Sequence, residues 1–191
     1  MTKVYLVRHG QTLFNAQHKI QGFCDSPLTE TGIKQAQIAR KHLDAEGIVF
    51  DEAYSSTSER ASDTLEILTD IPYKRVKNLR EWNFGSYEGE GEHMNPPLPY
   101  LDFFVQFGGE SQADIEERIS VTIGDLVAQS KADNILIVSH GAAIANFYRR
   151  WKHANIVHRK SRIQNCSLFK YDYSNEEFRL EEIIEHDFSS L

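Results

Sequence analysis

Two short apolar runs end in the same pair of residues. Leu6-Val7-Arg8-His9-Gly10 closes the first and Ile137-Val138-Ser139-His140-Gly141 closes the second. Runs of this length and branching, from Lys3 to Val7 and from Asn134 to Ser139, read as strands buried on both faces. Such strands need cover on both sides, and helical patterns alternate with strands along the chain. The combination points to an α/β fold with three layers, α/β/α, around a mostly parallel central sheet. Open sheets of this kind bind ligands at the carboxyl ends of their strands, so His9 and His140 are expected in one crevice. The glycine after each histidine lets backbone approach a ligand. A helix starting there offers free N–H groups and positive potential to an anion.

Other elements follow the same alternation, with no internal repeat and no low-complexity linker. Thr29 to Glu46 has the pattern of a helix, with Thr29 as N-cap, Ile33, Ala36, Ala39 and Leu43 about one turn apart, and Gly47 placed to end it. A strand is expected around Asp51 to Ser55. Ser56-Thr57-Ser58-Glu59 has capping-box spacing, and Ala61, Thr64, Leu65 and Leu68 share one face of the helix it opens. Ser111 with Asp114 marks a further helix start, continued by Ile115, Ile119, Ile123 and Leu126. Gly141 to Trp151 reads as a helix, and Ser167 to Tyr173 with Phe178 to Ile184 as a closing hairpin across Ser174-Asn175. Glu88 to Gly109 fits no element. It holds Pro96, Pro97 and Pro99 beside Tyr100, Phe103, Phe104 and Phe107, and reads as an excursion over the core. The 191 residues suit a single domain spanning 1–191, able to bury a core without metals or disulfides.

Composition removes several function classes. With 11% aromatic and 40% hydrophobic residues the chain is not a disordered one. No apolar stretch approaches the ~18 residues of a membrane span, and the N-terminus lacks a signal-peptide core. Cys24 and Cys166 make no disulfide framework, so the expected compartment is a reducing cytoplasm. A net charge of −7 argues against nucleic acid as a partner. The charge is uneven, however: Ser174 to Leu191 alone carries six acids against one base. From Arg149 to Arg162 there are six bases and no acid, an island that by itself reads as a solvated face. Cys24 reads as a small buried hydrophobe, because no base is identifiable to activate it. There is no metal-ligand spacing, and the other six histidines form no pattern.

Arg60 adds a second arginine to the strand-end histidines. Counted from Ser56 as N-cap, it is the fourth residue of its helix. Two arginines, two histidines and helix N-termini at strand ends suit a dianionic tetrahedral group such as a phosphoryl, whose oxygens match the guanidinium fork.

The segment Leu6-Val7-Arg8-His9-Gly10-Gln11-Thr12, with Asn15 following, resembles the signature of the histidine phosphatase superfamily, which includes cofactor-dependent phosphoglycerate mutases and many phosphatases. An ordered series continues the likeness along most of the chain. Gln21-Gly22 with Asp25 and Leu28-Thr29 comes first, then Gly32 with Gln35-Ala36, then Ser55 to Arg60-Ala61 with Thr64. Leu79-Arg80-Glu81 with Phe84-Gly85 and Glu88-Gly89 follows, then Gly109-Glu110-Ser111 and Ser139-His140-Gly141.

The resemblance implies roles residue by residue. His9 is the nucleophile that accepts the phosphoryl group on a ring nitrogen. Arg8, Arg60 and His140 surround that group, and Asn15 with the backbone N–H of Gly141 adds donors. Glu81 protonates the leaving oxygen and then activates water. Gln21 and Gly22 are substrate contacts or only a loop turn, while Glu110 and Ser111, read by themselves, are structural, Ser111 as a helix cap. Positive charge comes from the arginines and His140, so neither a metal nor another cofactor is expected; the partner is a small phosphorylated substrate.

Two departures favour a phosphatase over a mutase. The mutase pattern carries Glu-Arg-His-Tyr-Gly around the acid, where this chain has Glu81-Trp82-Asn83-Phe84-Gly85, and Gln21 stands where that branch has a small residue. The competing readings are a phosphoglycerate mutase and a catalytically weak binding module on the same fold. Asn95 to Phe107 either covers the leaving group or packs a satellite core, and no sequence feature specifies an oligomeric state.

Overall fold

In the computed structural model, which describes residues 2–191, a six-stranded sheet runs through the molecule. The elements in chain order are β1 (Thr2–Arg8), α1 (Leu13–Ala16), α2 (Glu30–Ala45), β2 (Glu52–Ser56), α3 (Glu59–Leu68), β3 (Lys74–Val76), α4 (Gln112–Gln129), β4 (Asn134–Ser139), α5 (Gly141–Arg150), β5 (Leu168–Ser174) and β6 (Glu177–Ile184). Strand order is β3-β2-β4-β1-β5-β6. The first four strands pair in parallel, while β5 joins β1 and β6 joins β5 antiparallel. The sheet is therefore mixed, parallel from the β3 edge to β1 and antiparallel from β1 to the β6 edge.

Alternation along β1 and β4 sets the layers. Val4, Leu6, Ile135 and Ile137 point to one face, where they pack with Ile115, Ile119 and Ile123 of α4 and Ile144 and Phe147 of α5. Tyr5, Val7, Leu136 and Val138 point to the other, against Ala36, Ala39 and Leu43 of α2 and Ala61 and Leu65 of α3. Each such large side chain, fully withdrawn from water, contributes about 1.5–3 kcal/mol. Register does the positioning: Arg8 pairs with Ser139, so both His-Gly pairs leave the sheet side by side.

Several local expectations shift. Ile33 is 39% exposed, because Gly32 and Gln35 face inward instead. A Cβ on Gly32 would lie 2.1 Å from the Gln11 carbonyl oxygen, so only glycine admits that backbone there. Leu126 is half-buried, and the neighbouring Val127 takes the core position. The hairpin turn falls on Asn175-Glu176, both at positive φ, rather than on Ser174-Asn175. Helix α5 ends at Arg150, with Trp151 as its C-cap. α1 and β3 are elements the pattern missed; at four and three residues they are too short to show a period. Thr29 and Ser111 cap their helices as expected, Ser111 in a reciprocal box with Asp114.

The excursion carries short 3-10 turns at Glu92–Met94 and Val105–Phe107. Phe104 is fully buried, with ring centroids 4.9 Å from Phe84, 5.3 Å from Tyr100 and 5.1 Å from Phe103. These aromatics extend the core cluster that β1, β4, α4 and α5 share. The described residues include no helix long and apolar enough to cross a membrane.

Candidate active site

His9 leaves β1 with its ring fixed at one edge. Its Nδ1 lies 2.8 Å from the Gly10 carbonyl, which can only accept, so Nδ1 carries the proton and Nε2 presents its lone pair. The backbone is held from three sides. The N–H of His9 donates to Ser139 O, the N–H of Gly10 donates to Thr64 Oγ1, and Asn165 Nδ2 donates to His9 O at 3.0 Å. The His140 ring stands 5.2 Å from the His9 ring, and both of its nitrogens are buried without a protein partner. The Nε of Arg8 is buried and unpartnered as well, while an Arg8 terminal nitrogen donates to Ile163 O at 2.5 Å. Orphaned buried donors of this kind cost roughly 1–3 kcal/mol each, so they mark a place built to meet a ligand.

Arg60 is fully buried and aimed at the His9 ring, with Nε 3.3 Å from His9 Nε2. Its other donors reach the carbonyls of Gly22 and Cys24 and the carboxylate of Asp25, the last at 2.7 Å. The expected capping box from Ser56 does not form. The N-cap is Ser58, which makes no side-chain cap, and Arg60 is the second helical residue. Asp25 supplies the cap from outside, accepting the N–H of Glu59 while pairing with Arg60. A carboxylate thirty-five positions away outcompetes the local hydroxyl because it also neutralises a buried guanidinium.

Glu81 closes the other side. Its carboxylate accepts the backbone N–H groups of Ala142 and Ala143, at 2.9 and 2.8 Å, and that of Trp82. The N-terminus of α5 thus serves a carboxylate at its second and third residues, while Gly141 and Ala142 border the cavity. The loop carrying Glu81 is laced from α4: Arg118 donates to the carbonyls of Asn78, Arg80 and Glu81 and pairs with Glu110 at 2.7 Å. Ser139 Oγ ties the same loop to β4 through Leu79 O.

Burial holds the His9 imidazole well below the usual histidine range, reinforced by the Arg60 and Arg8 charges. The same causes, burial first and then Arg60, keep His140 well below it. Both rings are therefore neutral near pH 7 with the protein groups alone around them. The positive charge expected of His140 is thus not carried by its ring while protein groups alone surround it. Cys24 is half-buried rather than buried, and burial with Glu88 beside it pushes its thiol up to about 11, against any role as a thiolate.

A cavity of about 710 Å³ opens beside these groups, bordered by Arg8, His9, Asn15, Gln21, Glu81 and Gly141. Arg60 and His140 adjoin His9 without sharing the cavity wall. Gly22 lies away from it. A Cβ there would meet Trp82 O at 2.2 Å, so the residue admits close backbone packing and its carbonyl orients Arg60. The Gln21 amide is engaged internally, accepting from Thr12 and donating to Ser26. Glu110 is structural, as expected, accepting from Asn83 N and Arg118.

The basic island is largely exposed, as expected of a solvated face, and most of it also borders the cavity. Arg149, Lys152, Arg159, Lys160 and Arg162 all border the cavity. Tyr148 of α5 folds the following chain back, its hydroxyl accepting from the Arg159 N–H and its ring lying under the Arg159 guanidinium. Asn95, Leu98, Pro99 and Tyr100 of the excursion border the same space, so that segment both covers the cavity and packs a core. Asp25, Arg118 and Asn165 are the supporting residues to which the sequence reading gave no role. The only sequence signal among them was Asp25's place in the ordered motif series.

A neutral imidazole among arginines at parallel strand ends, near a carboxylate, is an arrangement suited to a phosphoryl group on an α/β sheet. The sequence model of the histidine phosphatase superfamily (branch 1) matches residues 4–186, and the chain belongs to that superfamily, which comprises phosphatases and mutases. Among curated proteins it is 32% identical over 189 residues to the probable phosphoglycerate mutase GpmB of Yersinia pestis (strain Pestoides F), covering 91% of this chain and 86% of that protein. Among solved structures it resembles a phosphoglycerate mutase from Bacillus anthracis str. Sterne, with TM-score 0.82 and 26% identity over 94% of this chain and 91% of that one. It also resembles a phosphoserine phosphatase from Entamoeba histolytica solved with 3-phosphoglyceric acid, with TM-score 0.79 and 27% identity over 98% and 99% of the two chains.

Proposed function

We propose that this protein is a phosphomonoesterase working through a phosphohistidine on His9, without a metal. The carrying observation is the His9 ring. Its Nδ1–H is anchored on Gly10 O, which leaves Nε2 as the nitrogen with the lone pair, and burial keeps the ring neutral. Nε2 attacks the phosphorus, the bond to the alcohol oxygen breaks, and that oxygen takes a proton from the Glu81 carboxyl. The carboxylate so formed is held by the N–H groups of Trp82, Ala142 and Ala143. Glu81 then takes a proton from water as the water oxygen attacks the phosphorus, the N–P bond breaks, and phosphate leaves. Splitting one displacement into two, with charge met by preplaced donors, suits phosphoryl transfer. Arg8, the His140 ring, Asn15 and Gly141 N–H are the donors around the phosphoryl oxygens.

Purified enzyme is expected to hydrolyse p-nitrophenyl phosphate equally well with and without EDTA. A quenched single turnover should trap an acid-labile, base-stable phosphoenzyme, absent in His9→Ala. Isomerisation of 3-phosphoglycerate without hydrolysis of any phosphomonoester would instead establish the mutase reading, which the name of the curated relative favours. Neither activity, and no phosphoenzyme, would leave a binding module.

A further inference from the structure

The cavity beside His9 is larger and more basic than a phosphoryl group requires. At about 30 Å³ per water-sized unit, the five non-hydrogen atoms of a phosphoryl with its bridging oxygen fill about 150 Å³. The cavity holds about 710 Å³. Beyond the phosphoryl end its wall carries Lys152, Arg159, Lys160 and Arg162. Glu81 and Glu92 are the only acids on the whole cavity wall, and Glu81 is committed to backbone N–H groups.

These cations are not neutralised by the fold. Among the described residues Lys152, Arg159 and Lys160 form no ion pair, and Arg162 reaches Glu92 only at 4.0 Å. The neighbouring Arg149, by contrast, is paired with Glu116 on α4. The protein carries 28 acids against 21 bases, so unpaired cations gathered on one concave wall are not a consequence of composition. Lys152, Lys160 and Arg162 reach the cavity from its exposed rim, whereas Arg159 is half-buried and held in place. Tyr148, 7% exposed, fixes Arg159 by its hydroxyl at 3.3 Å and its ring at 5.6 Å, and Ile163 O anchors the far end of the segment on Arg8. Mutual repulsion on a concave surface is relieved by an anion, and a basic cleft concentrates one. Tyr100, Leu98 and Pro99 add an apolar flank to the same space.

We infer that Lys152, Arg159, Lys160 and Arg162 form a second anion subsite, so that the substrate is a phosphomonoester whose alcohol portion carries another phosphate or a carboxylate. The inference rests on the phosphatase reading for the position of the reacting phosphoryl. The guanidinium of Arg159, held over Tyr148, presents a planar fork suited to either oxyanion.

The test compares kcat/KM for three classes of ester: p-nitrophenyl phosphate, sugar bisphosphates and phosphorylated hydroxy acids. Wild type should prefer one doubly charged class over its singly charged counterparts by at least tenfold, and the class preferred tells phosphate from carboxylate. The preference should shrink between 50 and 500 mM salt, as screening predicts. In Arg159→Gln/Lys160→Gln, kcat/KM for the preferred class should fall at least ten times more than for p-nitrophenyl phosphate. Equal falls, or no preference in wild type, would overturn the subsite while leaving the phosphatase reading intact. Should wild type hydrolyse no ester, that reading fails, and calorimetric binding of the same esters to His9→Ala reads the subsite by itself. Tighter binding of a doubly charged class then supports it, and equal affinity for all three overturns it.

Discussion

Asp25→Ala removes the carboxylate paired with the fully buried Arg60 and, with it, the cap of α3. Stripping one partner from a buried pair costs about 3–5 kcal/mol, whereas exposed pairs contribute about 0–1 kcal/mol. Here Arg60 has no exposure, while the Asp25 side chain is 29% exposed. Arg60 also keeps its bonds to the Gly22 and Cys24 carbonyls. An intermediate loss of about 2–3 kcal/mol follows. For a domain of this length each 1 kcal/mol shifts Tm by about 2–4 °C, so the variant should melt roughly 4–12 °C lower. Activity should fall further than stability suggests, because Arg60 is the group aimed at His9 Nε2. Misplacing it by about 1 Å is expected to lower kcat/KM about 100-fold. Asp25→Asn keeps an acceptor for the guanidinium and should lose about 1 kcal/mol and less rate. Thermal melts by circular dichroism, with p-nitrophenyl phosphate kinetics at 20 °C, check both quantities. An alanine variant that melts within 2 °C of wild type with kcat/KM within threefold would refute the view that Asp25 orients the buried arginine.

Three other outcomes are expected. Glu81→Gln should slow alkyl phosphate hydrolysis about 100–10,000-fold, yet slow p-nitrophenyl phosphate much less, since nitrophenolate leaves without a proton; equal losses on both would remove Glu81 as the acid. His9 and His140 are held neutral by the fold whereas unfolded histidines titrate near 6.5, so the unfolded chain binds more protons in acid and stability falls as pH drops below that value. Each contributes a slope of up to about 1.4 kcal/mol per pH unit; urea melts at pH 7 and 5 should show the fall, reduced by one group's share in His140→Asn. Gly22→Ala places a methyl against Trp82 O and Phe84, and should lower stability by about 1–3 kcal/mol in denaturant melts, with kcat/KM falling as Arg60 loses its carbonyl.

Much of the site was legible beforehand. The two His-Gly pairs mark themselves because a strand buried on both faces leaves an uninterrupted apolar run, and the residues just beyond it stand at the ligand edge. Parallel pairing of β1 with β4 then brings them together. Helix caps at Thr29 and Ser111 were legible because the capping bond spans only three residues. The Ser56 box failed for the complementary reason: its competitor, Asp25, arrives from another loop, and no local pattern registers it. The basic island shows the same boundary. Charge density alone reads as a solvated surface, and only the return of the chain over Tyr148 brings those side chains to the cavity as well.

The sequence by itself determined the alternating layers, the strand ends that carry His9 and His140, and the chemistry their neighbours suit. These depend on periodicity and on residues a few positions apart, so they survive without coordinates. The tertiary structure decided what depends on distant residues meeting. It set Asp25 and two carbonyls around Arg60, and α5 N–H groups on the Glu81 carboxylate. It buried two imidazoles until they were neutral, and it brought Lys152, Arg159 and Lys160, which form no ion pair, to the edge of a 710 Å³ cavity together with Arg162. Burial and charge proximity act through space, and a linear pattern records neither.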